Sequence, residues 1–93
     1  MTAKWIPITT RPMTEEERKE YEGRKTEKKK REYLGGRFAA KEAVFKATQD
    51  PGYLSYAILN DEDKRPYVKG HPEIEASISH DGDYAIAMAE VKL

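Results

Sequence analysis

Apolar residues recur along this chain with two different periods. In the middle, Leu34, Phe38 and Phe45 fall at i, i+4 and i+11, close to one helical stripe. From Arg37 to Lys46 no Gly or Pro interrupts the run, so the spacing predicts a helix there. Thr26 is placed to cap it, giving a helix from Glu27 to about Ala47, and Asp50-Pro51-Gly52 ends it by turn chemistry. Towards the C-terminus the period becomes two. Ala76, Ile78 and His80 alternate with Glu75, Ser77 and Ser79. Asp81-Gly82 is a type I′ hairpin signal. Asp83 to Val91 returns as a strand, with Tyr84, Ile86 and Met88 on one face and Ala85, Ala87 and Ala89 on the other. That small alanine face lets a helix approach closely.

The remaining segments are shorter. Tyr53 to Leu59 is aromatic and aliphatic and reads as a strand, Asn60 to Lys64 as a polar turn, and Pro66 to Lys69 as a second short strand. Upstream, Thr14 and Glu17 have capping-box spacing before a helix from Glu15 to Glu22, which Gly23 breaks; Met13 can staple that end. Met1 to Pro12 reads either as a short strand or as an apolar arm carrying Trp5, Ile6 and Ile8, with Pro7 favouring a sheet edge. The expected architecture is α+β: a small antiparallel sheet of three or four strands packed on a long helix, as a single domain over residues 1–93 with 1–12 as an atypical arm.

Composition narrows the function classes. Seventeen basic and seventeen acidic residues cancel, which argues against nucleic-acid binding by bulk charge. The chain has no Cys, so disulfides and thiolate metal sites are excluded. No apolar run approaches the roughly 20 residues of a membrane span, and no signal-peptide core is evident. A cytoplasmic protein is expected. Hydrophobic residues are only 38% of 93, and association into an oligomer would supply further burial.

Three features offer chemistry. Glu42 and Lys46 are four apart on one helix face: an acid and a base able to hold a metal ion and a phosphate, or simply an exposed ion pair. Arg24 to Arg31 is a basic run opposed only by Glu27, readable as a solvated face or as a docking surface for an acidic partner; it lacks the interleaved aromatics of a base-stacking surface. Gly35-Gly36 inside the helix costs about 1 kcal/mol per Gly relative to Ala, which suggests a close approach there or a kink. The acids of Asn60 to Lys64 and His71 read as solvated loop residues.

The residues also carry a resemblance. Phe38-Ala-Ala-Lys41-Glu42-Ala-Val-Phe-Lys46 resembles the Trp/Phe-x-x-Lys-Glu-x-x-x-Lys signature of the 4′-phosphopantetheinyl transferases. The wider run Tyr33 to Ala43 resembles the short holo-acyl-carrier-protein-synthase type. Ser77-Ile78-Ser79-His80, the segment ending Arg65-Pro66-Tyr67-Val68, and Met13-Thr14-Glu15-Glu16-Glu17 resemble further family segments in the same order. There are departures. The family's first strand carries Gly-Ile-Gly-x-Asp, whose Asp is a magnesium ligand, and Met1 to Thr10 has no such match. The Gly-Thr-Gly turn expected after Lys46 reads Thr48-Gln49-Asp50-Pro51-Gly52. In the family's Gly-Lys-Pro-Tyr segment, Lys64 stands for the Gly and Arg65 for the Lys.

The resemblance implies transfer of the phosphopantetheine arm of coenzyme A to a serine of an acyl carrier protein, in fatty-acid biosynthesis, with Mg2+. It implies Glu42 as metal ligand, Glu42 and Lys46 as catalytic residues, and Arg37, Lys46 and His80 as contacts to coenzyme A. It also implies a trimer with sites between subunits. Two rivals stay open: a non-catalytic homologue that binds coenzyme A or a carrier protein, and a structural module that uses the basic helix as an interface.

Overall fold

A computed structural model describes residues 2–4, 13–81 and 84–92. Trp5, Ile6, Pro7 and Ile8 lie outside the described residues. The N-terminal strand that is described, β1 (Thr2–Lys4), precedes them and pairs antiparallel with the start of the last strand.

Helix α1 (Glu15–Glu22) starts at the predicted capping box. The Thr14 hydroxyl accepts from Glu17 N–H at 3.2 Å, and Glu17 Oε1 accepts from Thr14 N–H at 2.8 Å. Gly23 closes the helix, its N–H donating to the Lys19 carbonyl. Helix α2 (Glu27–Thr48) is capped by Thr26, whose hydroxyl accepts from Lys29 N–H at 3.0 Å. It runs unbroken through Gly35-Gly36, so the kink is not found. Gly36 serves a close approach instead: a Cβ there would lie 3.1 Å from Ile78 Cγ2 and 3.3 Å from His80 Cε1. The helix ends one residue before the predicted turn, at Gln49, which takes a left-handed conformation (φ 57°) and donates to the Phe45 carbonyl.

Asp50 then organises a turn, its side chain accepting from Gly52 N–H at 2.8 Å. Tyr53–Ser55 continues as a 3-10 turn, which corrects the predicted strand from Tyr53 to Leu59. The local turn bonds capture those residues before they can pair, and Leu54 is left exposed. Only Ile58–Asn60 forms a strand, β2, paired antiparallel with β3 (Pro66–Val68) as a separate ribbon. Strands β4 (Ile74–Asp81) and β5 (Tyr84–Val91) form the long hairpin, and the three-stranded sheet has order β1-β5-β4. Asp81 pairs with Tyr84; Gly82 and Asp83 between them lie outside the described residues.

The predicted alternation holds. Ala85 and Ala87 are buried against α2, while Tyr84, Ile86 and Met88 are exposed on the far face. The helical stripe is a correction. Ala39, Ala40, Ala43 and Val44 face the sheet, whereas Phe38 is 37% exposed and Phe45 packs against Tyr53 with the rings tilted and their centres 4.8 Å apart. Small residues on both surfaces allow a separation at which large aromatics would not fit, so the aromatics lie beside the seam. Leu34 belongs to a second cluster with Met13 and Tyr33, with Tyr21 packed against it, so Met13 packs into the α1–α2 junction.

A candidate coenzyme cavity between the helices and the ribbon

Helix α1 lies along the edge of β2 that β3 leaves open. Its two inward acids, Glu17 and Glu20, are three apart and so share one face. Each accepts from a strand N–H: Glu17 Oε2 from Ile58 at 2.8 Å, and Glu20 Oε2 from Asn60 at 3.0 Å. Alternate residues of a strand present their N–H groups to the same edge, which is why these two are the ones used. Each acid's other oxygen holds a cation four residues apart on α2. Glu17 Oε1 is 2.7 Å from Lys41 Nζ, and Glu20 Oε1 is 3.4 Å from Arg37 Nη2. Two rungs of opposite charge thus join α1, α2 and β2.

The first rung is structural. Glu17 is 0% and Lys41 2% exposed, and Lys41 Nζ also donates to the Leu54 carbonyl at 2.9 Å. Burial pushes the Lys41 pKa down, and the hydrogen bond and charge of Glu17 oppose that shift. The signature lysine, to which the resemblance gives no role, is therefore a core residue.

The second rung opens onto a cavity of about 320 Å³. Tyr33 OH donates to Glu20 Oε1 at 2.7 Å, and Arg37 Nη2 donates to Asn60 Oδ1 at 2.7 Å. The guanidinium carbons of Arg37 and Arg24 lie 4.2 Å and 4.6 Å from the Tyr33 ring centre, within cation–π range. Burial raises the Tyr33 pKa, helped by Glu20 and opposed by Arg37, so the phenol stays a donor. Arg37 is buried, and among the described residues its Nε–H has no hydrogen-bond partner. A buried donor left unsatisfied costs about 1–3 kcal/mol, which an anionic ligand in the cavity would relieve. Tyr33, Arg37, Asn60 and Ile78 line the cavity together with Arg24, Lys29, Lys64 and His80, against one acid, Glu32. That balance suits a phosphorylated ligand.

The structure therefore brings Arg37 and His80 together, and places Glu42 and Lys46 elsewhere. Neither Glu42 nor Lys46 lines the cavity; Glu42 is half-buried and Lys46 exposed. At about 100° per residue, Lys46 points roughly 180° and Glu42 roughly 140° around α2 from Arg37. Among the described residues no three His, Cys, Asp or Glu converge as a metal site. The acidic turn is self-contained, with Asp61 Oδ1 accepting from the N–H groups of Asp63 and Arg65.

The basic run also divides. Arg24 and Lys29 face the cavity, while Lys25, Lys28 and Arg31 are exposed and do not line it. Sequence reasoning missed Glu20, Tyr33, Asn60 and Lys64. For the acid the signal was present, in the three-residue spacing Glu17/Glu20 matched by the four-residue spacing Arg37/Lys41.

Known proteins resemble this chain in sequence and fold. A profile of the 4′-phosphopantetheinyl transferase N-terminal domain matches residues 16–90. The chain is 34% identical to a holo-[acyl-carrier-protein] synthase of Onion yellows phytoplasma, over 91% of this chain and 78% of that protein. It is 38% identical to one from a Geobacillus strain, over 88% and 75%. A holo-(acyl-carrier-protein) synthase from Bacillus anthracis, solved in complex with CoA (3′,5′-ADP), superposes with TM-score 0.69 at 32% identity, covering 83% of this chain and 72% of that one. The Helicobacter pylori synthase in complex with coenzyme A gives TM-score 0.69 at 26% identity, over 88% and 78%. Profile, relatives and fold agree, and the chain belongs to the 4′-phosphopantetheinyl transferases of the holo-acyl-carrier-protein synthase type.

Proposed function

We propose that this protein transfers the 4′-phosphopantetheine arm of coenzyme A to a serine of an acyl carrier protein, with magnesium. The observation that carries the reading is the cation-lined cavity centred on buried Arg37, in a chain whose solved relatives bind coenzyme A. In the reaction the serine oxygen forms a bond to the β-phosphorus of coenzyme A. The bond to the leaving 3′,5′-adenosine diphosphate breaks, and the serine proton leaves through water at the Glu42 carboxylate. Arg37 and His80 hold the nucleotide end, and Lys46 meets a phosphate.

Glu42 offers one carboxylate. Magnesium is held by one or two carboxylates together with substrate phosphates and water, so this donor set fits an ion that arrives with the diphosphate. When bound, such an ion neutralises charge on the reacting phosphate. Because Arg37 and Lys46 face opposite sides of α2, we assign the two halves of a site to neighbouring subunits of a homotrimer. The exposed Tyr84, Ile86 and Met88 of β5 offer an apolar surface for such association. No described helix is long and apolar enough to cross a membrane. We place the protein in the cytoplasm, as one domain acting on the carrier of fatty-acid biosynthesis.

The deciding experiment is the intact mass of an apo carrier protein incubated with this protein, coenzyme A and magnesium. The reading requires a magnesium-dependent gain of one phosphopantetheine arm. The lone carboxylate favours a second reading, a non-catalytic homologue that binds coenzyme A or a carrier. Coenzyme binding without transfer, beside a competent transferase that modifies the same carrier, selects it. Binding of neither coenzyme nor carrier selects a structural module.

Two substitutions separate the surfaces. Lys46→Ala is expected to weaken coenzyme A binding by roughly tenfold, the worth of a charge-assisted contact of about 1.5 kcal/mol. An unchanged calorimetric affinity would remove Lys46 from the site. Lys28→Glu with Arg31→Glu is expected to raise KM for the acidic carrier about tenfold at low salt and leave coenzyme affinity intact, because charges outside the cavity act chiefly on encounter. An unchanged carrier KM would return that face to solvent.

A further inference from the structure

Lys64 occupies a backbone position built for glycine. The β2–β3 connection is a tight turn centred on Asp61. Its carbonyl accepts from Lys64 N–H at 2.9 Å, its N–H donates to the Arg65 carbonyl at 2.9 Å, and its carboxylate accepts from Asp63 and Arg65. A turn of this length needs a left-handed residue in its last position, and Lys64 has φ 62°. Glycine adopts that conformation without strain, whereas an L side chain there brings its Cβ against the following carbonyl. The Asp61 bonds over-determine the turn, so the lysine is held in place despite the strain. Strain that persists in this way clusters at functional sites. Here it puts a cation beside Arg37, His80, Lys29 and Arg24 at the cavity.

We propose that Lys64 is an affinity- and specificity-determining residue of this chain: a strained lysine that adds a cation to the cavity and raises its preference for a polyanionic nucleotide. This rests on the reading of the cavity as the coenzyme A site. Stability and binding then pull in opposite directions at one residue. Lys64→Gly removes the strain and the charge together. A purely structural lysine would move stability alone, and an idle surface lysine would not change binding.

The test is calorimetric titration of the full chain and its variants with coenzyme A, alongside thermal unfolding. Lys64→Gly is expected to raise Tm by roughly 3–6 °C, the relief of left-handed strain less the chain entropy that glycine adds to the unfolded state, and to weaken coenzyme A binding about five- to tenfold. That loss should shrink towards nothing between about 0.05 M and 0.5 M salt, as screening removes the electrostatic share. Lys64→Arg keeps the charge and is expected to bind within about twofold of the parent chain, whereas Lys64→Asn tolerates the left-handed backbone, lacks the charge and should bind like the glycine variant. Lys64→Gly binding as tightly as the parent overturns the proposal, as does a loss that Lys64→Arg shares. A parent chain that binds no coenzyme A overturns the cavity assignment itself, which is a distinguishable result.

Discussion

Lys41→Met is expected to destabilise the protein by about 3–5 kcal/mol, the usual cost of removing one partner of a buried ion pair. The substitution keeps most of the side-chain volume, so the loss is electrostatic rather than a cavity effect. It leaves the Glu17 carboxylate at 0% exposure with, among the described residues, the N–H groups of Thr14 and Ile58, and it takes the donor from the Leu54 carbonyl. For a domain of this size each kcal/mol moves Tm by about 4–8 °C, so a fall of more than about 12 °C is expected in a thermal melt. Adding Glu17→Gln should return part of that loss, because the uncompensated charge disappears with its partner. A fall below about 4 °C for Lys41→Met alone would mean that the pair does not carry the junction of α1, α2 and β2. The exposed Lys69–Glu16 pair is no guide to this effect, since water screens it on both sides.

Glu42→Gln is expected to lower magnesium-dependent transfer by on the order of 10²–10³, the consequence of losing several kcal/mol of charge stabilisation in the transition state. The neutral amide is nearly isosteric and the position is only half-buried, so folding and Tm should be unaffected. Glu42 does not line the cavity, and coenzyme A affinity measured without magnesium should stay within about twofold. The assay is the carrier mass gain at several magnesium concentrations. Full activity in Glu42→Gln would end the metal-ligand assignment. A matching loss of metal-free coenzyme binding would instead place Glu42 in the cavity, against the geometry of α2.

The same two residues show how far sequence reasoning reached. Lys41 and Glu42 are neighbours in one motif, and the resemblance gave the acid a role while the lysine had none. The helix is local and could be read. Which of its faces meets the sheet depends on β5, and the choice fell on Ala39, Ala40, Ala43 and Val44 rather than on the phenylalanines. The resemblance gives roles to Arg37 and His80, and the matched spacings Glu17/Glu20 and Arg37/Lys41 allow the two pairs to meet, but only the packing of α1 on α2 sets Glu20, 17 residues before Arg37, beneath its guanidinium. The glycine expected at position 64 was noticed as a departure, and only the backbone angle shows what the departure entails.

By itself the sequence determined the elements whose signals lie within a few residues. These are the Thr14–Glu17 box that starts α1, the Thr26 cap and uninterrupted run of α2, and the period-two alternation that makes β4 and β5 a one-faced hairpin. Caps and periodicity act between neighbours, so one strand of sequence is enough to read them. The tertiary structure alone decided that Glu17 meets the N–H of Ile58, 41 residues away, and Lys41 in the core. It also decided that Tyr53–Ser55 turns instead of extending, and that the basic run parts into a cavity wall and an open face. Those outcomes depend on which surfaces exclude water together, and that is settled only when α1, α2 and the β2–β3 ribbon are packed.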